Sequence, residues 1–298
     1  MKTLMEFFNL KPRYDVEDLV LIGNHLFCLG VPYDCVPDFR KYVVAGAIAH
    51  HLNLRSIDTA LKNYMREKEW KSNPSIDPRL RLITQATALV KKEVVSATDK
   101  AIATPTNSEK AGFIAATVAL ARLPATFRVT VFSLRMGCYL EAAALCRMIL
   151  EQLAWICNVY EIRGNEWARI KPSACIGNLK EFYPAAGRLY GALSDLTHVN
   201  PSTHRSFVVF EGGKLEVVYG DMSITLWATL CLLEVCDLHL LISELIYAEF
   251  QNKTTLLKRG RKGKLFPKLG RPMKKEIVRF IKNARASEQK TKSGRSQG

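Results

Sequence analysis

Apolar residues recur along most of this chain at helical spacing, and the longest runs define its elements. From Leu134 the segment LRMGCYLEAAALCRMILEQLAWICNVYE has no proline, and no glycine after Gly137, which predicts one long buried helix. After a short polar break, LYGALSDLTH forms a second helix that Asn200-Pro201 ends. RSFVVFEGGKLEVVYGD then alternates apolar and polar positions about a Gly-Gly pair, the pattern of a two-stranded hairpin over 205–219. SITLWATLCLLEVCDLHLLISELIYAEF follows as another apolar helix.

Upstream, residues 16 to about 70 read as helical with interruptions, including an amphipathic helix pair around AIAHHLNLRSIDTAL. SNPSIDPRL (72–80) and TDKAIATPTNSEK (98–110) are loops, and AGFIAATVALARL leads through Pro124 into the central helix. These elements predict a mostly α protein: a multi-helix bundle with one inserted β-hairpin and a basic, largely disordered C-terminal tail. The divisions are an N-terminal helical region over 1–100, a central bundle over 101–252, and the tail over 253–298.

Charge sharpens that last boundary. The net charge of +15 is concentrated: 16 of the 43 Lys/Arg but only 2 of the 28 Asp/Glu lie in 253–298, leaving 27 and 26 in 1–252. The body is close to neutral, so any pull on a polyanion comes from the tail. Within it PMKKEIVRFIKNARA is the one stretch with the spacing of an amphipathic basic helix. The eight cysteines form no CxxC pair, and no signal peptide opens the sequence, which together predict a reducing, cytoplasmic setting. Glu234, Asp237, His239 and Glu244 interrupt the apolar run at 224–246, so no membrane span is expected there.

Few side chains suggest chemistry. Arg147 and Glu151 stand four apart on the central apolar helix and so share a face. A charge on such a helix needs a partner, so the pair is either an ion pair fixing helix register or a phosphate-binding arginine beside a carboxylate that positions it or takes a proton. Ser194 and His198 are also four apart, and His198 at a helix end is either a structural cap or a general acid–base. His204 and Arg205 would supply further substrate contacts. In the tail, Lys262, Lys264, Lys274 and Lys275 would hold a polyanion, with Phe266 and Phe280 available for stacking on bases. RNA is favoured over DNA as partner, and the apolar helices are compatible with a homodimer. No spacing suits a metal ion, EGGK lacks the helix a phosphate loop requires, and GxSxG is absent, so neither metal nor cofactor is expected.

The segments AAALCRMILE (142–151) and LSDLTHVNP (193–201) together resemble a family of uncharacterised bacterial helical proteins. Its members carry an R-x-x-x-E helix followed by an L-S-x-x-x-H segment. Arg147, Glu151, Ser194 and His198 are the matching positions. That family is similar in layout to the HEPN helical domains, many of which are ribonucleases of toxin and defence systems using an arginine and a histidine four to six residues apart on one helix. This sequence departs from that spacing, since Arg147 lies on a different helix from His198. The resemblance implies a nucleic-acid-associated protein, with a metal-independent ribonuclease using Arg147, Glu151 and His198 as one reading. The alternative is a non-catalytic binding or assembly protein in which the same three residues form a structural polar network.

Overall fold

The computed structural model describes residues 19–24, 27–32, 37–65, 78–103, 109–135, 137–198, 208–211, 214–217, 222–251, 253–260 and 263–295. In chain order these form β1 (Leu19–Asn24), β2 (Phe27–Pro32), α1 (Pro37–His51), α2 (Ile57–Tyr64), α3 (Pro78–Ala103), α4 (Ala111–Arg135) and α5 (Tyr139–Val159). Two 3-10 turns lead to α6 (Ile176–Phe182) and α7 (Ala186–Thr197). Then come β3 (Val208–Glu211), β4 (Lys214–Val217), α8 (Met222–Tyr247), β5 (Leu257–Arg259), β6 (Leu265–Pro267) and α9 (Pro272–Arg295). The protein is mostly helical, and the hairpin expected after the central histidine is present, with Glu211 opposite Lys214.

The core is built on α5 and α8. Cys146, Ile149, Leu150, Leu153, Ala154 and Ile156 of α5 are fully buried, as are Leu232, Val235, Leu238, Leu241 and Ile242 of α8. Helices α3, α4, α6 and α7 pack around this pair. A short reversal joins α4 to α5: Gly137 takes φ +77 while Cys138 N–H donates to Ser133 O (2.9 Å) and Gly137 N–H to Leu134 O (3.1 Å). That is the Schellman arrangement, whose left-handed residue favours glycine. The two helices are therefore antiparallel, and the start of α4 meets the end of α5. Helices α1 and α2 enclose a separate small core of Val44, Ala45, Ala49, Ala60 and Met65, with the Ser56 hydroxyl capping α2 through Thr59 N–H.

Two boundaries move: the run expected as one helix from Leu134 is broken at Gly137 into α4 and α5, and the loop expected at 98–110 is helical to Ala103. Three larger features also differ from expectation. Leu19–Asn24 and Phe27–Pro32 pair as antiparallel strands, Asn24 opposite Phe27, where the apolar run had suggested a helix. A continuous run carries no period, so it does not separate a short strand from a buried helix turn. The basic tail also carries more structure than its composition suggests. Beyond a third hairpin, α9 is 24 residues long and buries Met273, Ile277 and Phe280 in the main core. Glu244 of α8 fastens the hairpin, accepting from Leu256 N–H (2.8 Å), Leu257 N–H (2.9 Å) and Thr255 Oγ1 (2.7 Å).

The third difference concerns membranes. Helix α4, helix α5 and Ile224–Tyr247 of α8 are each long and apolar enough to cross one. This overturns the expectation of no membrane span, and the cytoplasmic placement that went with it. The interruptions in α8 fall late, leaving a long run from Ile224 with only Glu234 and Asp237 charged, and Pro124 does not divide α4. The three windows are 33%, 50% and 72% buried within the bundle, in that chain order.

His239 of α8 illustrates how apolar the interior is. It is 1% exposed beside Phe127 (ring centroids 5.2 Å apart), and neither ring nitrogen has a hydrogen-bond partner among the described residues. Burial disfavours the cation and lowers its pKa from the ordinary 6.5 to about 4. A depressed folded value means the ring contributes stability above pH 6.5 that is lost as pH falls toward 4. Between pH 7 and pH 5 the wild type should lose about 2 kcal/mol more than His239→Leu, as read by parallel denaturant titrations.

Candidate functional site

Helices α5 and α7 bring the predicted charged residues together. Arg147 sits on the α5 face toward α7, half-buried, and its guanidinium meets four partners. Nε donates to Glu151 Oε1 (3.1 Å), one turn along the same helix. Nη1 donates to Thr197 Oγ1 (3.1 Å) and reaches His198 Nε2 at 3.0 Å, while Nη2 donates to Tyr190 OH (3.1 Å). The guanidinium carbon also lies 5.1 Å from the Tyr190 ring centre. Tyr190, Ser194, Thr197 and His198 recur at three- and four-residue intervals, which places them on one side of α7 and at its end.

The histidine's chemistry follows from its partner. A guanidinium only donates, so in this contact Nε2 is the acceptor and Nδ1 is left to carry the ring N–H. His198 caps α7 through its own N–H to Ser194 O (2.9 Å), and its side chain is exposed. The Ser194 hydroxyl oxygen is buried with no partner among the described residues, so it faces away from solvent. Arg147 and Glu151 are 22% and 25% exposed, so the cluster opens to solvent at its edge. His204, Arg205 and Lys262 lie outside the described residues.

The tail lysines have varied surroundings. Lys264 pairs with Glu181 (3.2 Å) and lies 5.9 Å over the Phe266 ring. Lys274 donates to Glu234 (3.0 Å), Lys275 is exposed, and Phe280 is 7% exposed in the core. With Phe280 buried and Phe266 half-buried, the pair of free aromatic rings that supported RNA binding by the tail is not there. That partner assignment is withdrawn along with the exclusion of a membrane.

A second polar cluster went unread in the sequence. Asp237, 1% exposed on α8, accepts from Arg271 Nε (2.8 Å), from its Nη2, and from Tyr183 OH (3.2 Å). The single Tyr183 proton is shared between Asp237 and Glu234, with Glu234 the closer acceptor, and Lys274 pairs Glu234 from the other side. Two carboxylates thus face two bases across a phenol. Burial, then the neighbouring Asp237 and Glu234, push the Tyr183 hydroxyl far above its ordinary range, so it stays protonated as a donor. Burial alone would lower the Arg271 pKa, but its bonds to Asp237 more than offset this and raise it. The available signal was two acids three residues apart in an apolar run, which required cationic partners from elsewhere in the chain.

Between α3, α8 and the segment leading to α9 lies a cleft of about 660 Å³, walled by Leu240, Tyr247, Leu256 and Met273 with Lys100 and Lys253 also lining it. No group of three or more His, Cys, Asp or Glu among the described residues is placed to hold a metal ion. Compared with family models, curated proteins and solved structures, the chain matches none.

Proposed function

We propose that this chain is a non-catalytic helical binding or assembly protein, in which the Arg147 cluster is a polar clamp holding α7 on α5. The observation that carries this reading is the engagement of Arg147. Four of the five N–H donors of a guanidinium go to four different side chains of the protein. A phosphate would have to displace them, and the His198 lone pair needed by a general base already accepts from Arg147. The outer side of α4 supports the binding half of the proposal. Ile114, Val118, Val129 and Phe132 are each at least 36% exposed and recur near helical spacing, forming an apolar stripe of the kind that partners cover.

The ribonuclease reading assigns Arg147 to a phosphate and Glu151 and His198 to proton transfer, and it rests on the resemblance to HEPN domains. One experiment separates the two. Wild type, His198→Ala and Arg147→Ala are assayed for RNA cleavage and for thermal unfolding. The clamp predicts no cleavage by any of them and a loss of about 1–2 kcal/mol in Arg147→Ala, modest because the cluster is partly solvated. Cleavage by wild type that disappears in a fully folded His198→Ala overturns the proposal. So does an Arg147→Ala protein as stable as wild type.

A further inference from the structure

We propose that the outward face of α9, with the turn just before it, is a docking surface for an anionic lipid bilayer. The helix has two faces of opposite character. Met273, Ile277, Phe280 and Ser287 are buried on the inner side. On the opposite side Lys275, Val278, Arg279, Lys282 and Arg285 are exposed, at the three- and four-residue spacing of a single helical stripe. Over its 24 residues α9 carries eight Lys/Arg and two Asp/Glu. Lys274 turns inward to Glu234, and Glu276 pairs with Arg279, so among the described side chains the outward charge is set by Lys275, Lys282, Arg285 and a partly neutralised Arg279.

Charge alone would suit any polyanion; the apolar residues among the bases decide between them. Leu269, in the turn before α9, is 88% exposed, and Val278 in the middle of the basic stripe is 58% exposed. An aliphatic side chain set among lysines and arginines, as Val278 is, with a second exposed one just before the helix, matches a bilayer interface, where the bases meet anionic headgroups and the apolar groups enter the acyl boundary. A nucleic-acid backbone gains little from Leu or Val and draws on aromatic stacking instead. The two phenylalanines of this region do not stand in the stripe: Phe280 is buried on the inner side, and Phe266 is half-buried on β6 with the Lys264 ammonium 5.9 Å from its ring centre. The proposal is independent of the clamp. It also holds whether or not the long apolar helices cross the same bilayer.

The test uses the full chain with vesicles of phosphatidylcholine alone, or of phosphatidylcholine with about 30% phosphatidylserine, which raises the negative surface potential. Acetylation of Lys275 and Lys282 by a water-soluble reagent is followed site by site with mass spectrometry. In the anionic vesicles both lysines should react at least about threefold more slowly than in neutral ones, and about 0.5 M salt should abolish the difference by screening. Arg279→Glu with Arg285→Glu should also abolish it, and Leu269→Asp with Val278→Asp should reduce it. Equal rates in the two vesicle types overturn the proposal. Protection by a single-stranded RNA but not by anionic vesicles also overturns it, and reassigns the face to nucleic acid.

Discussion

Replacing Arg271 by alanine is expected to lower the stability of the folded chain by about 3–5 kcal/mol, the cost of leaving a buried carboxylate without its counter-charge. Asp237 is 1% exposed and both of its oxygens face Arg271, so water cannot take over the lost bonds without opening the bundle. Tyr183 remains as a donor, but a single phenol does not neutralise the charge. The loss should appear as a lower midpoint in thermal or denaturant unfolding. The double substitution Arg271→Met with Asp237→Leu should recover most of it, because removing both charges leaves neither stranded. If Arg271→Ala alone unfolds at the wild-type midpoint, the pair does not hold the C-terminal segment to α8.

Gly112→Ala should have an effect of similar size, about 3–4 kcal/mol, for a steric reason. Gly112 opens α4 where it meets the end of α5, and its N–H donates to Ile162 O at 2.9 Å. A Cβ built there would lie 1.9 Å from Val159 O and 2.9 Å from Ile162 O. Both are backbone atoms, so no side chain can rotate out of the way, and the two helix ends must separate. Gly177 in α6 is the matched control, since an added Cβ there meets nothing within 4 Å. Gly177→Ala should be neutral, or stabilising by up to about 1 kcal/mol from helix propensity.

Much of the bundle was legible because α5, α7 and α8 have clear apolar runs and clear stops, such as Asn200-Pro201 after α7. The 208–217 hairpin was legible because two glycines separate alternating segments. The pairing of Leu19–Asn24 with Phe27–Pro32 was not, because Leu19–Ile22 is uniformly apolar and has no alternation to read. At the candidate site, the Arg147–Glu151 contact follows from spacing within one helix. The approach of His198 and Tyr190 depends on how α7 lies against α5, which no local pattern encodes. The Asp237–Arg271 pair was hidden differently. Counting the tail as one basic block obscured a single arginine that differs from its neighbours only in what it meets after folding.

That pairing also sets an order of events during synthesis. Arg271 follows Asp237 by 34 residues, so a ribosome releases α8 well before the base that neutralises it. Until then the nascent α8 cannot bury Asp237 without stranding a charge. Closure of the bundle around Asp237 therefore waits for Arg271 to emerge, and a translation product that stops short of Arg271 is left with a destabilised core.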